Sequence, residues 1–497
     1  MCLLHRSFRN HGPPLVLILG GFCLYLLLFS DVFTHSFVIY DDVAYVVRNS
    51  IVQEGLSVAG IRRAFTALNG GVSYWHPLTW MSHQLDTEVF GDFCGGHKLT
   101  NLILHFYNTL LLFTLLKRLR FSRFISVAVA CLFLCHPLHV ESVVWVSERK
   151  DLLCAFFEFL GLHSYVSYRE AKSWKRRSAV YLWFGCALMS KPMAVTFPCL
   201  LLLIDYWQAR TANKQGLAGW LTREILLEKV PLFLLSFVVS GLTIIAQDRL
   251  GAIPTLVELP LASRVANAAE SYLIYAVKTA LPFGLAARYP YPEDFPWWRI
   301  LAGLTFFSFM SAWSLRAYRR HPTVMFGWAW YVVTLFPVIG LIQTSSQARA
   351  DRYMYLPFIG IVLIACSAID HWRAQLKGRA IEFGLVLIIG LYCGITRRQI
   401  AFWKDSRTLF QRALAVTDKN AIAHLGLAQS LNWNRDTADI RHHLNAAMEL
   451  EPENAKVLEA LARFYRYQGE HRLEQIFQTK ALAWKSAENS LPEQPRQ

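Results

Sequence analysis

Apolar runs separated by short basic loops dominate the first 400 positions. The first, PPLVLILGGFCLYLLLFSDVF (13–33), approaches the ~20 residues that a helix needs to span a bilayer. Runs of similar character recur, and together they predict spans near 14–34, 100–116, 124–141, 152–168, 179–194, 195–208, 230–247, 299–315, 323–342, 355–371 and 380–396. The expected fold is all-α: a polytopic membrane bundle of about eleven helices, residues 1–400, with a first extracytoplasmic loop over 35–98. Segment 260–285 would invert every later loop if it crossed, so it is read as a re-entrant or interfacial helix. The Lys191-Pro192 step breaks the helical pattern between two short spans.

From Trp403 the pattern changes to a polar, helical repeat. Ala413, Ala447 and Ala481 recur every 34 residues, as do the pairs Asn420/Asn454 and Ala428/Ala462. That period, with small residues at the crossings, is the tetratricopeptide signature. Residues 401–497 are therefore expected to form a short repeat domain that leans on the membrane part.

Composition sharpens this picture. The chain is 54% hydrophobic and 17% charged, against about 25% charged in soluble domains. Its net charge of +15 sits mostly in KRLRFSR (117–123), REAKSWKRRS (169–178), RAYRRH (316–321) and RAQLKGR (373–379). Basic loops between apolar runs mark the cytoplasmic side and do not imply nucleic acid. The N-terminus, with Arg6 and Arg9 ahead of an uncleaved first span, is placed inside. Of ten cysteines, eight fall in apolar runs and Cys94 lies in the first loop, so no disulfide framework is expected.

This topology puts Asp41/Asp42, WHPLTWMSHQLD (75–86), SERKD (147–151), Lys191 and QARADRY (347–353) on one outer face. Asp41 or Asp42 could cap the helix VAYVVRN or act as a general base. Glu148, Arg149, Lys150 and Asp151 form either an internally paired cluster or a site, with His136, His139 and Glu141 just before them. His97, Asn101, His105 and Asn108 form a polar stripe expected to serve as a hydrogen-bond seam. Arg349, Arg352 and Lys191 suit a phosphate or pyrophosphate; the competing reading is an Arg–Asp pair, with Asp351, that merely pins a loop. His76, His83 and Asp86 could share a helical face, but their spacing matches no metal motif, and no residue is assigned to a metal. No Walker loop, dinucleotide fingerprint or nucleophile elbow occurs, which argues against soluble nucleotide donors.

Taken together, YDD, WHPLTWMSHQLD, GGHKLTNLILH, HPLHVESVVWVSERKD, SKPMAVTFPCLLLLIDYW and QARADRYMYLP, followed by the repeats, resemble the transmembrane-and-tetratricopeptide O-mannosyltransferase-like family of the GT-C glycosyltransferase superfamily. The resemblance implies inverting transfer of mannose or another hexose from a polyprenyl-phosphate donor to a hydroxyl of a polypeptide or glycan. The repeats would engage the acceptor on the extracytoplasmic face of a bacterial inner membrane or endoplasmic reticulum. It also implies Asp41 as base, with Asp42 supporting or exchanging that role. Lys150, Lys191, Arg349 and Arg352 would hold the donor phosphate, and His76, Glu148, Arg149, Asp151 and Asp351 would support the site. A divalent-metal requirement stays open. The repeat array is shorter than in long-tailed eukaryotic relatives, so their acceptor preference does not transfer. The rival readings are an envelope-polysaccharide ligase or polymerase and a non-catalytic scaffold. The early acids and the many polar-striped spans count against both.

Overall fold

The computed structural model describes residues 15–66, 75–211, 220–249, 253–255, 258–343, 347–373, 375 and 378–490. Arg6, Arg9, part of the first loop and part of the 373–379 basic loop lie outside the described residues. The described chain is all-α apart from a two-stranded antiparallel ribbon, β1 (Tyr289–Pro290) with β2 (Gln347–Arg349).

Helices α1 (Leu15–Leu28), α2 (Pro77–Phe90), α3 (Cys94–Arg118), α4 (Arg123–Cys135), α5 (Arg149–Glu170), α6 (Trp174–Ser190), α7 (Phe197–Thr211) and α8 (Arg223–Arg249) come first. They are followed by α9 (Leu261–Ala280), α10 (Trp297–Ala317), α11 (Pro322–Leu335), α12 (Pro357–Arg373) and α13 (Gly378–Ala401). A helix therefore overlaps each expected span. Five are long and apolar enough to cross a membrane, or six if the bent pair Arg123–Cys135 and Pro137–Val144 is one span. In α13 only 6% of the apolar window is buried by protein, so its apolar surface is left for lipid. Segment 260–285 holds one unbroken helix, α9, whose buried face includes Asn267, Glu270 and Tyr275. An uninterrupted helix is not the broken path of a re-entrant turn.

The bundle core is one apolar cluster running from Tyr25 to Leu409. Its centre is α3, against which α4, α5 and the broken stretch 136–148 pack. Pro137 lacks an amide donor, so the chain there breaks into short turns with carbonyls that no helix satisfies. The α3 polar stripe supplies the partners. The Asn101 amide donates to the carbonyls of Val143 (3.1 Å) and Trp145 (3.2 Å). Asn108 donates to the Leu152 carbonyl (3.0 Å), and His105 meets the Leu134 carbonyl (3.2 Å) and the Tyr355 hydroxyl (2.8 Å). The stripe is thus a seam that holds broken backbone where water is scarce. Asn101→Leu strips two carbonyls of donors and is expected to cost about 1–3 kcal/mol or more. A lower thermal midpoint in detergent checks this, and an unchanged midpoint would refute it.

The remaining helices, α14 (Ser406–Val416), α15 (Ala421–Ser430), α16 (Thr437–Leu450), α17 (Ala455–Tyr467) and α18 (His471–Ser490), pack consecutively around a second core. Asn420 and Asn454, a full period apart, each cap the helix that follows them. A Cβ on Gly426 would collide with the Phe410 ring, which explains the small residue where α14 meets α15. These hairpins rest on the bundle. The Ile39 amide donates to Ser406 Oγ (2.8 Å), Lys419 pairs with Glu293 (2.6 Å), and Tyr40 packs against both cores.

Candidate active site

Asp41 and Asp42 follow a turn at Ile39–Tyr40 and precede a short π-type turn, Val43–Val47. Neither of the two roles open to both acids fits both. Asp42 makes no side-chain cap to that turn. It is 1% exposed, and its Oδ1 accepts from the Ser147 amide (2.9 Å) and hydroxyl (2.5 Å), while Oδ2 accepts from the Val38 amide (3.1 Å). Those contacts tie the first loop to the 146–148 turn and leave Asp42 little capacity for anything else. Asp41, the residue before it, is exposed by area. Its crowded surroundings push the carboxyl pKa up, against the pull of Lys150 and Arg352, and Glu148 and Asp42 reinforce the rise. The structure thus divides the pair into an anchor and an accessible carboxylate.

Beside Asp41 lies a buried charge network. Glu148, 2% exposed, accepts from Lys150 (3.0 Å), Lys191 (3.4 Å) and Arg352 (3.2 Å). Burial opposes its ionisation, but the three cations hold it well below the usual carboxylate range. Lys191 also pairs with Asp151, and Arg352 with Glu141, whose carboxylate additionally accepts the Arg352 amide (3.0 Å). The helix break at Pro192 is what lets Lys191, at the end of α6, turn into this network. Aromatic faces complete the setting. Lys150 lies over Tyr45 (5.1 Å) and Trp145 (5.7 Å), and Arg352 over Trp145 (5.3 Å) and Tyr353 (5.1 Å). Trp145 is itself stacked on Tyr40. His76 meets the Tyr45 hydroxyl through Nδ1 (3.0 Å), and burial, then Lys150 and Lys191, keep it well below its ordinary pKa. Beneath the cations a recess lined by Met193, Thr196, Thr334, Tyr355 and Leu356 leads into the bundle.

Three of the expected residues lie elsewhere. Arg349, on β2, faces Glu270 (3.4 Å) and lines an outer cleft of about 750 Å³ between the ribbon and α14–α15. Asp351 is held by Lys278 (2.9 Å), the Tyr289 hydroxyl (2.8 Å) and the Ala286 amide (3.2 Å), so it fastens the 281–289 segment. Arg149 is fully buried and points away from Lys150, to Asp86 (2.6 Å), Asn101 and Ser82. It braces α2 against α3. Glu158, in contrast, lines the recess with Oε2 unpartnered. It was missed in the sequence, although an acid in the middle of an apolar run is the signal that finds it.

No family model matches the chain, and no solved structure matches it. Named proteins do. Protein O-mannosyl-transferase F38B6.6 of Caenorhabditis elegans is 24% identical over 441 residues, covering 83% of this chain and 60% of the relative. Protein O-mannosyl-transferase TMTC4 of Mus musculus is 24% identical over 491 residues, covering 84% and 64%. Protein O-mannosyl-transferase TMTC1 of Homo sapiens is 22% identical over 498 residues, covering 88% and 55%. The chain therefore spans about three-fifths of the length of the curated relatives it matches. By this comparison the chain is TMTC-like, similar over more than four-fifths of its own length to proteins named protein O-mannosyl-transferases.

Proposed function

We propose that the protein is an integral-membrane, GT-C-type glycosyltransferase that moves a hexose, mannose first among the candidates, from a polyprenyl-phosphate donor to a hydroxyl of a polypeptide. One observation carries this reading: an accessible carboxylate, Asp41, beside three cations, Lys150, Lys191 and Arg352, that converge on buried Glu148. Asp41 takes the acceptor hydroxyl proton as that oxygen bonds to the anomeric carbon. The bond from that carbon to the phosphate oxygen breaks on the far side, which inverts the centre. The departing lipid phosphate gains negative charge, and cations fixed in place beforehand stabilise it without reorganising. The absence of a Walker loop or dinucleotide fingerprint, together with the several apolar helices, supports a lipid-linked donor over a soluble nucleotide. His76, Glu148 and Asp151 act as supports for these cations.

The acceptor side follows from the same layout. The outer cleft, with Arg349 on one wall and Lys419 and Asn420 on the other, would receive the polypeptide, and tetratricopeptide hairpins would present it. This orientation puts the site and the repeats outside and the N-terminus inside the cytoplasm. Contacts between the basic loops, Arg118 with Glu170 and Arg210 with the Arg319 carbonyl, support this reading. Purified protein given radiolabelled polyprenyl-phosphate mannose and a hydroxyl-bearing peptide is expected to label the peptide, and GDP-mannose alone is not. Absence of transfer from every polyprenyl-phosphate hexose, with folded protein, would overturn the proposal.

A further inference from the structure

Helices α2 and α3 are joined by a tight turn, and the residues on its inner side are unusual for a protein interior. His83, Asp86 and His97 are 0%, 3% and 1% exposed. One ligand-capable atom from each lies within 4.8 Å of the other two. Both ring nitrogens of His83 are buried without a hydrogen-bond partner among the described residues, as is Nδ1 of His97. Buried imidazole nitrogens left in this state are costly, because desolvation is not offset. The expected trio of His76, His83 and Asp86 does not gather, since His76 turns toward Tyr45. His97, from the next helix, takes the third place.

From this arrangement we propose that His83, Asp86 and His97 form a binding site for a divalent transition-metal ion, with zinc preferred. Two imidazoles and one carboxylate are the donor set that zinc accepts in tetrahedral sites, with a water in the fourth position. Hard cations such as magnesium and calcium take oxygen ligands and would reject two imidazoles. The geometry is close to what is needed. Metal–ligand bonds near 2.0–2.1 Å place tetrahedral donors about 3.3–3.4 Å apart, and His97 Nδ1 lies 3.6 Å from Asp86 Oδ2. His83 offers its ligand atom within 4.8 Å of those two.

The outer contacts orient the ligands. His97 Nε2 meets the Gly91 carbonyl at 3.1 Å, so its proton sits there and Nδ1 offers a lone pair inward. Gly91 adopts φ +56°, a conformation that favours glycine, in the turn that brings this carbonyl round. Asp86 Oδ1 accepts from the Thr100 hydroxyl at 2.8 Å, and Oδ2 forms an ion pair with Arg149 at 2.6 Å. A carboxylate has about four lone-pair positions, so these two contacts leave capacity for a metal. Arg149 then acts as an orienting group on the carboxylate. The ion would lock α2 to α3 and brace the first loop that carries Asp42, whose charge reaches His97. It is a bracing site and takes no part in the sugar transfer proposed above.

The test uses full-length protein purified through a tag without histidine, in metal-scavenged detergent buffer, then incubated with zinc and desalted. Elemental analysis is expected to find about one zinc per chain. His83→Ala and His97→Ala are expected to lose it more than tenfold, and the exposed-histidine control His471→Ala to keep it. Cobalt loaded into wild type is expected to show the intense visible absorption of a tetrahedral site. Chelation should lower the thermal midpoint of wild type and not that of His83→Ala. Wild type that stays folded yet retains under a tenth of an equivalent of zinc and shows no cobalt spectrum would overturn the proposal, whether or not the variants fold. So would unchanged zinc content in both variants.

Discussion

Asp41→Asn is expected to slow glycosyl transfer by about 10²–10⁴-fold while leaving the thermal midpoint within about 0.5 kcal/mol of wild type. The side chain is exposed by area, so removing its charge disturbs little packing. An amide cannot take the hydroxyl proton, so the loss falls on the rate of transfer and not on donor binding. Asp42→Asn separates the two acids. Its carboxylate accepts three bonds from Ser147 and Val38, and an amide nitrogen facing one of those donors repels it. That variant is expected to be destabilised first and slowed as a consequence. The pH profile is a further check. A base must be ionised, and the crowding around Asp41 raises its pKa, so the acid limb of transfer should lie above the ordinary aspartate value near 3.9. Activity falls as pH drops through that limb. Equal, full transfer by Asp41→Asn and wild type would remove Asp41 from the mechanism.

Glu148→Gln is the second large effect, and it falls on stability as well as activity. Glu148 is the shared partner of Lys150, Lys191 and Arg352, and removing its charge leaves three half-buried cations without their common counterion, two of them still paired with Asp151 and Glu141. Breaking one side of a buried ion pair costs about 3–5 kcal/mol. A loss of that order in chemical unfolding is expected, with transfer abolished as the cations spread apart. The linkage sign is that of a depressed carboxylate. Its contribution is complete above the unfolded glutamate pKa and disappears only as pH falls through the lower folded value. Wild type should therefore keep this advantage over Glu148→Gln into acid, and lose it only under strongly acidic conditions. A variant as stable as wild type at neutral pH would show that the network is not a structural centre.

Hydropathy located the apolar helices, one overlapping each expected span among the described residues, because an apolar stretch of sufficient length has few other ways to satisfy its backbone in lipid. The 34-residue period marked the C-terminal hairpins, whose Asn420 and Asn454 caps and small Gly426 are local requirements visible in the chain. The α3 stripe was legible for the same reason: residues three and four apart share a helix face.

Position within the site was a different matter. Ser147 to Asp151 straddle a helix start, so five neighbours radiate in different directions: Ser147 to Asp42, Glu148 to three cations, Arg149 to Asp86, Lys150 back over Tyr45, Asp151 to Lys191. Arg349 and Arg352, three apart in one motif, serve an outer cleft and an inner network because a strand ends and a short turn begins between them. Asp41 and Asp42 look equivalent in order and differ wholly in burial. The sequence alone determined that this is a helical chain with several long apolar helices and a 34-residue period in its tail, since those follow from period and length. Only the tertiary structure decided which acid is free, which cations meet and which histidines converge, because those depend on contacts between segments up to hundreds of residues apart.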